Sequence, residues 1–138
     1  MMSVDFSCFM EIAKSSTEKS GEQWTRNAVS RAYYSMYHSA LRVVHGDVPS
    51  HDKCGVKVSG GVHARLFAYL CDGEAAEKYK LDPNVLKKLG LKLKTYHFHR
   101  VTADYKLDQK MQRLTAVMSI SEAEEVDRLV SDLLKQHK

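Results

Sequence analysis

One arginine of this 138-residue sequence lies where a helix should present an apolar side chain. The residues that precede Arg100 at helical spacing are apolar or aromatic: Leu86, Leu89, Leu93 and Tyr96. A guanidinium keeps its proton at physiological pH, so burying one without a partner costs much free energy. Asp104 follows one turn later, and His97 precedes Arg100 on the same side. Either Arg100 and Asp104 form a structural ion pair, or Arg100 binds a phosphate and His97 carries a proton.

A second group of polar residues lies in the segment RAYYSMYH, residues 31–38. Helical spacing puts Arg31 and His38 on one face with Tyr34 between them. A cation and an imidazole are the minimum needed to cleave RNA, because one stabilises the phosphate charge and the other transfers a proton. The alternative is that this stripe is the solvated side of a long helix. The candidate catalytic residues are therefore Arg100, His97 and His38.

Positive charge is concentrated in one part of the chain. The formal net charge is +4, yet residues 83–113 contain eight lysines and arginines and only two aspartates. Such an excess attracts phosphates, so it favours a nucleic-acid partner. The alternative is an ordinary solvated helix, because the lysines point in several directions around the helix axis.

Metal and cofactor binding are not supported by the motifs present. His97 and His99 would point about 200° apart on a helix. His51, Cys54 and His63 meet only if the intervening loop brings them together. No spacing matches a zinc site, and the phosphate-loop, dinucleotide-binding and serine-hydrolase motifs are absent. We therefore expect neither a metal nor a cofactor.

Bulk properties favour a cytoplasmic protein without membrane association. Hydrophobic residues make up 43% of the chain and charged residues 28%, as in ordinary globular proteins. No segment approaches the roughly 18 apolar residues of a membrane span, and the N-terminal MMSVDFSCFM has no basic region typical of a signal peptide. Three widely spaced cysteines favour reduced thiols over a disulfide framework.

Apolar periodicity predicts an all-α fold. Helices are expected over residues 4–19, 22–44, 62–71 and 83–105, with a loop over residues 45–60. Asp82 and Pro83 provide the N-cap and first position of the fourth helix, which favours helix over strand although LGLKLKTYHF also alternates with period two. Ser121 and Glu124 form a capping box that predicts the start of the last helix. The expected architecture is one domain, residues 1–138, forming an up-and-down bundle of four to five helices.

Three segments together resemble the HEPN (higher eukaryotes and prokaryotes nucleotide-binding) family. They are SRAYYSMYHSALRVV, HRVTADY and SEAEEVDRLVSDLL, and they occur in the family's order; with their spacing, the resemblance covers about residues 23–134. The form R-x-x-A-D-Y, at Arg100, Ala103, Asp104 and Tyr105, is the most specific part of the match. The resemblance implies a helical bundle that often dimerises with the arginine-bearing helix near the two-fold axis.

The same resemblance implies a role in toxin–antitoxin or antiviral defence. The family includes metal-independent ribonucleases, often encoded beside a small nucleotidyltransferase antitoxin, and members that bind RNA or nucleotides. Its ribonucleases carry R-x(4–6)-H, whereas Tyr105 stands five residues after Arg100 and no histidine follows in range. Tyrosine, with a pKa near 10, carries protons poorly at pH 7. We therefore expect a phosphate- or RNA-binding module, with a ribonuclease or a purely structural bundle as alternatives. The expected binding residues are Arg100, Asp104, Tyr105, His97 and Arg31.

Overall fold

The computed structural model describes residues 4–136 of the chain. These residues form six α-helices joined by loops, and they contain no β-strand. The ends of the expected domain, residues 1–3 and 137–138, lie outside this description. The helices are α1 (Ser7–Thr17), α2 (Glu22–Leu41), α3 (Val62–Cys71), α4 (Glu74–Tyr79), α5 (Pro83–Tyr105) and α6 (Arg113–Lys135), with a 3-10 turn at Arg42–Val44. The predicted all-α bundle is confirmed. No helix among the described residues is long and apolar enough to cross a membrane.

Helix α2 lies at the centre of the bundle and packs against α1, α5 and α6. Its apolar face is buried as predicted, and Tyr33 and Met36 are completely inaccessible to solvent. The neighbouring row of small residues is buried too: Ala28, Ala32, Ser35 and Ser39. Small side chains allow close approach of helices, so this row explains how α2 accommodates neighbours on several sides.

Helix α5 begins where its capping residues predict. The carboxylate of Asp82 accepts a hydrogen bond of 2.9 Å from the backbone N–H of Asn84, and Pro83 occupies the first turn. Gly90 is buried where α3 crosses α5. A Cβ atom on Gly90 would lie 2.5 Å from Cys71 Sγ and 3.2 Å from the Phe67 carbonyl oxygen. Glycine is therefore what permits α3 to lie this close to α5.

The start of α6 and the number of helices differ from the prediction. Helix α6 begins at Arg113, so Ser121 and Glu124 lie within it and do not cap it. Buried Ala116 and Ser119 continue the apolar stripe of the last helix upstream, and this burial outweighs the local capping signal. The sequence does not predict helix α4, because six residues are too few to show a helical period. Residues 4–136 therefore contain six helices, where four to five were expected.

A buried arginine of α2 holds the end of α5. The Arg26 side chain is 10% exposed and pairs with Glu22 at 2.9 Å. Its guanidinium also donates hydrogen bonds to four backbone carbonyl groups, those of Thr102, Ala103, Lys106 and Gln109. The carbonyls of Thr102 and Lys106 also accept backbone N–H bonds, so Arg26 gives each of them a second donor. The Ala103 carbonyl lies in the last turn of α5, where carbonyls lack a partner within the helix, and Arg26 supplies its donor. It thereby fixes both the end of α5 and the following loop against α2.

Replacing Arg26 by alanine should destabilise the fold by on the order of 3 kcal/mol, because four buried or partly buried carbonyls lose a charged donor. Urea unfolding measures the loss, and hydrogen exchange should quicken over residues 106–112. The matched control is Arg128→Ala, whose solvent-exposed pairs with Glu125 and Asp132 should contribute little to stability because water screens them. Equal losses in the two variants would contradict the role given to Arg26.

Candidate functional site

A line of polar contacts runs along the seam between α2 and α5. One turn after Arg26, the Ser30 hydroxyl donates a hydrogen bond of 3.1 Å to Asp104 Oδ2. One turn further, the Tyr34 hydroxyl accepts a hydrogen bond of 2.6 Å from Arg100 Nη2. Arg100 Nε lies 3.0 Å from the same Asp104 oxygen, so the i, i+4 ion pair predicted from the sequence is present. The Arg100 side chain is only 15% exposed, which makes these partners necessary.

Arg31 joins this seam and adds a second guanidinium. Its Nη2 donates a hydrogen bond of 3.1 Å to the Ser30 hydroxyl, and its guanidinium carbon lies 4.6 Å from the centre of the Tyr34 ring. The corresponding distance from Arg100 is 5.2 Å. The polar stripe of α2 is therefore half-buried at a helix junction and is not simply solvated. We call Arg31, Tyr34, Arg100 and Asp104 the arginine–tyrosine cluster.

The arginine–tyrosine cluster carries more positive than negative charge. Within residues 4–136, Arg31 has no carboxylate within ion-pair distance, and Asp104 is the ion-pair partner of Arg100. The Nε atoms of Arg31 and Arg100 are both shielded from solvent, and that of Arg100 faces Asp104 Oδ2 at 3.0 Å, so neither is open to a ligand. Arginine binds carboxylates and phosphates through its N–H donors, so the Arg31 guanidinium, which has no carboxylate partner within residues 4–136, gives the cluster the capacity to hold an anion.

Tyr105 lies at the open side of this cluster. Its side chain is 69% exposed, and its ring centre lies 5.6 Å from the Arg100 guanidinium carbon. Tyr105 and Asp104 end α5 together, so both stand beside Arg100 at the surface. An exposed aromatic ring next to a cation offers a face on which a planar ligand can stack.

Three histidines gather beside the arginine–tyrosine cluster. The rings of His97 and His63 stack with their centres 5.1 Å apart, and His63 Nδ1 shares a hydrogen bond of 2.6 Å with the Tyr33 hydroxyl. His38 stacks on Phe9 with ring centres 5.0 Å apart. Of the two histidines named from the sequence, His97 lies near Arg100, whereas His38 lies on the Phe9 side of the cluster, and His63 joins them as a third. We call His38, His63 and His97 the histidine cluster.

Burial keeps the histidine cluster neutral at pH 7. Burial lowers the pKa of His63 to about 4, with further contributions from the nearby His97, Arg100 and His38. Burial and then Arg100 lower the pKa of His97, and burial lowers that of His38. At neutral pH these imidazoles can accept a proton but hold none to donate as imidazolium. The positive charge of the region therefore comes from its arginines.

The structure does not bring the candidate zinc ligands of the sequence together. Among residues 4–136, no three histidine, cysteine, aspartate or glutamate side chains are grouped so that they could hold a metal ion. His51 pairs with Lys57 in the loop before α3, whereas His63 points to Tyr33. Cys8, Cys54 and Cys71 are free thiols.

Sequence spacing did not identify every residue of this site. Ser30 lies at helical spacing from Arg26 and Tyr34, and a search for polar residues on the face of α2 toward α5 would have found it. His63 had no such signal, because only the packing of α3 on α5 brings it to His97. Phe9 comes from α1 and has no local signal either.

Stability should fall with acid because of His63. Its folded pKa of about 4 lies below its ordinary value of 6.5, so the unfolded chain binds a proton first as pH decreases. The associated stabilisation is complete above pH 6.5 and is lost between pH 6.5 and about 4. We expect a loss on the order of 1–2 kcal/mol, reduced by partial solvent contact.

Urea unfolding across this pH range, compared with His63→Asn, measures the effect. Asparagine keeps an acceptor for the Tyr33 hydroxyl but does not titrate, so its stability should fall less steeply. The control His51→Asn, in the exposed loop, should follow the wild type. If His63→Asn kept the wild-type slope, the environment inferred for His63 would be wrong.

The chain was also compared with protein-family models, with curated proteins and with solved structures. None of the three comparisons finds a match.

Proposed function

We propose that this chain is a HEPN-like helical module that binds RNA or nucleotide phosphates at the arginine–tyrosine cluster. The observation that carries the proposal is the pair of guanidinium groups beside the Tyr34 ring, of which Arg100 alone has a carboxylate partner, Asp104, within residues 4–136. A phosphate supplies the missing negative charge and accepts several N–H bonds at once. Arg100 and Arg31 are the proposed phosphate-binding residues, and Asp104 holds Arg100 in position.

Nearby groups suit a nucleic-acid ligand. Tyr105 offers an exposed ring beside Arg100 for a base to stack on. On another face of α5, Lys87, Lys88 and Lys92 line a groove of about 520 Å³. Lys92 forms an ion pair with Glu122, so Lys87 and Lys88 supply most of the uncompensated positive charge of this groove. His97 shapes the site as a neutral neighbour of Arg100 and does not bind phosphate as a cation.

A second copy of the chain is the proposed partner in a homodimer. Leu91, Phe98 and Tyr105 are spaced by seven residues and are all exposed, so they form an apolar line along α5. Exposed apolar surface of this kind is typical of interaction sites. Because Tyr105 touches Arg100, a dimer formed there would bring two phosphate sites close to its axis.

The biological setting follows from the family resemblance alone. We propose a cytoplasmic role in a toxin–antitoxin or antiviral system, with a small nucleotidyltransferase as antitoxin partner. The sequence signature R-x-x-A-D-Y supports this setting, and a nucleotidyltransferase gene beside this one would favour it.

Arg100→Gln should weaken binding of single-stranded RNA about tenfold or more at moderate salt. The reason is the loss of a cation from a partly desolvated phosphate site. The slope of log affinity against log salt should become shallower by about 0.7–1, as expected for one lost phosphate contact. Fluorescence anisotropy with labelled RNA measures both quantities.

Arg128→Gln is the matched control for this measurement, because Arg128 is exposed on α6 and already has two carboxylate partners. It should bind RNA almost as the wild type does. Binding that ignored both salt and Arg100→Gln would refute the proposal. If Arg100→Gln lowered the melting temperature and left RNA binding intact, the cluster would be a structural ion pair.

A metal-independent ribonuclease is the second candidate, favoured by the three histidines beside Arg100. Cleavage requires the ribose 2′-oxygen to attack phosphorus while the 5′-oxygen leaves, so one group takes a proton and another gives one. Since all three imidazoles are neutral at pH 7, a donor is scarce there. Any cleavage should therefore be faster at about pH 5 than at pH 7.

Incubating RNA with protein and a chelator tests this activity. Loss of cleavage in Arg100→Gln and in one of His38→Asn, His63→Asn or His97→Asn would support it. No cleavage at either pH, or cleavage that all four variants retain, would exclude this mechanism.

Light scattering tests the dimer. The wild type should show twice the 15.7 kDa chain mass, and Phe98→Asp should shift the population to monomers because a charge on the apolar line opposes burial. Lys110→Asp, outside the line, is the control. A monomeric wild type at high concentration would contradict the proposed dimer.

A further inference from the structure

An open groove lies between the beginning of α1 and the end of α2. Its volume is about 740 Å³, within the range of small-molecule sites. Its surface is mainly apolar, and a few polar side chains also line it. The side chains that matter are Phe6, Phe9, Leu41, His38, Arg42 and His45. A ligand for this groove must therefore have apolar faces and polar edges.

The groove adjoins the arginine–tyrosine cluster through Phe9 and His38. The Phe9 ring centre lies 5.9 Å from that of Tyr34 and 6.0 Å from the Arg31 guanidinium carbon. The same ring stacks on His38. An apolar slot thus begins within one side-chain length of a cation that has no carboxylate partner among the described residues.

The far wall of the groove is held in place. Arg42 Nη2 forms an ion pair of 3.0 Å with Asp127 Oδ1 and donates to Ser39 Oγ at 3.2 Å. The Arg42 guanidinium carbon lies 4.2 Å from the Phe6 ring centre, so the Phe6 ring packs against a guanidinium that Asp127 and Ser39 hold in place. Because these contacts limit its rotation, Phe6 presents a preformed ring to the groove.

We propose that this groove receives the unpaired base of single-stranded RNA whose phosphate is held by Arg31 and Arg100. A nucleobase has the required apolar faces and polar edges, and its phosphate lies a few ångströms away in the direction of Arg31. An apolar peptide side chain would fill the slot but would leave Arg31 without an anion. This inference rests on the proposed phosphate-binding function and adds the location of the base.

The test compares a short single-stranded oligoadenylate with an abasic oligomer of the same length and charge. Wild-type protein should bind the oligoadenylate about 5- to 150-fold more tightly, the range expected for one stacked base. Phe6→Leu should reduce this ratio at least about threefold, since leucine keeps apolar volume but removes the aromatic face. Phe6→Tyr should retain the ratio. Trp24→Leu, a change of a half-buried aromatic residue of α2 outside the groove, is the control.

The variant Phe6→Trp places a fluorescent side chain in the groove, so its fluorescence reports directly on whether a ligand occupies the groove. Oligoadenylate should quench its added fluorescence beyond any change of the native Trp24, whereas the abasic oligomer should not. Circular dichroism establishes that each variant is folded, which is expected because Phe6 lies at the edge of α1.

The outcomes separate the two proposals. If neither oligomer bound the wild type, the phosphate-binding function itself would fail. If both bound equally and Arg100→Gln weakened both, that function would stand and the base site would be overturned. The base site would also be overturned if Phe6→Leu discriminated between the two oligomers as strongly as the wild type does.

Discussion

The hydrogen bonds from Arg26 to the carbonyl groups at the end of α5 determine where that helix meets α2. They fix the register of the seam, because Ser30 and Tyr34 follow Arg26 at successive turns of the same helix. Each then reaches the α5 residue opposite it, Asp104 or Arg100. The geometry around Arg100 is thus a consequence of a capping contact more than one turn away. A buried cation that satisfies backbone groups also positions a second cation for a ligand.

The arginine–tyrosine cluster combines two guanidinium groups with one carboxylate, that of Asp104. Asp104 stabilises Arg100 in the folded chain, yet the same carboxylate repels an approaching phosphate. Arg31 has the Ser30 hydroxyl as its hydrogen-bond acceptor, so it is the less compensated of the two arginines. The neighbouring imidazoles add bulk and hydrogen-bonding groups without charge at pH 7. The proposed phosphate would therefore meet two cations, one of which is already neutralised by Asp104.

Features with a local chemical cause could be predicted from the sequence, and those made by packing could not. Asp82 and Pro83 specify the start of α5 by themselves, and the spacing of Arg100 and Asp104 specifies their pair. The prediction that the last helix begins at Ser121 was wrong, because a capping pattern can also occur on the exposed face of a continuous helix. Burial of the opposite face determines where this helix begins. His63 entered the site only because α3 folds back onto α5. Contacts between residues close in sequence can be predicted from those residues alone, whereas contacts between distant helices depend on how the whole core packs.

Gly90 has a consequence that reaches beyond its own helix. In an isolated helix glycine costs roughly 1 kcal/mol relative to alanine, because it loses more backbone freedom on folding. Here its missing side chain sets how closely the axes of α3 and α5 approach. That spacing in turn determines whether His63 and His97 can stack seven residues further along α5. Glycine at this position lowers the helical propensity of α5, and it also allows the two imidazole rings two turns away to come into contact.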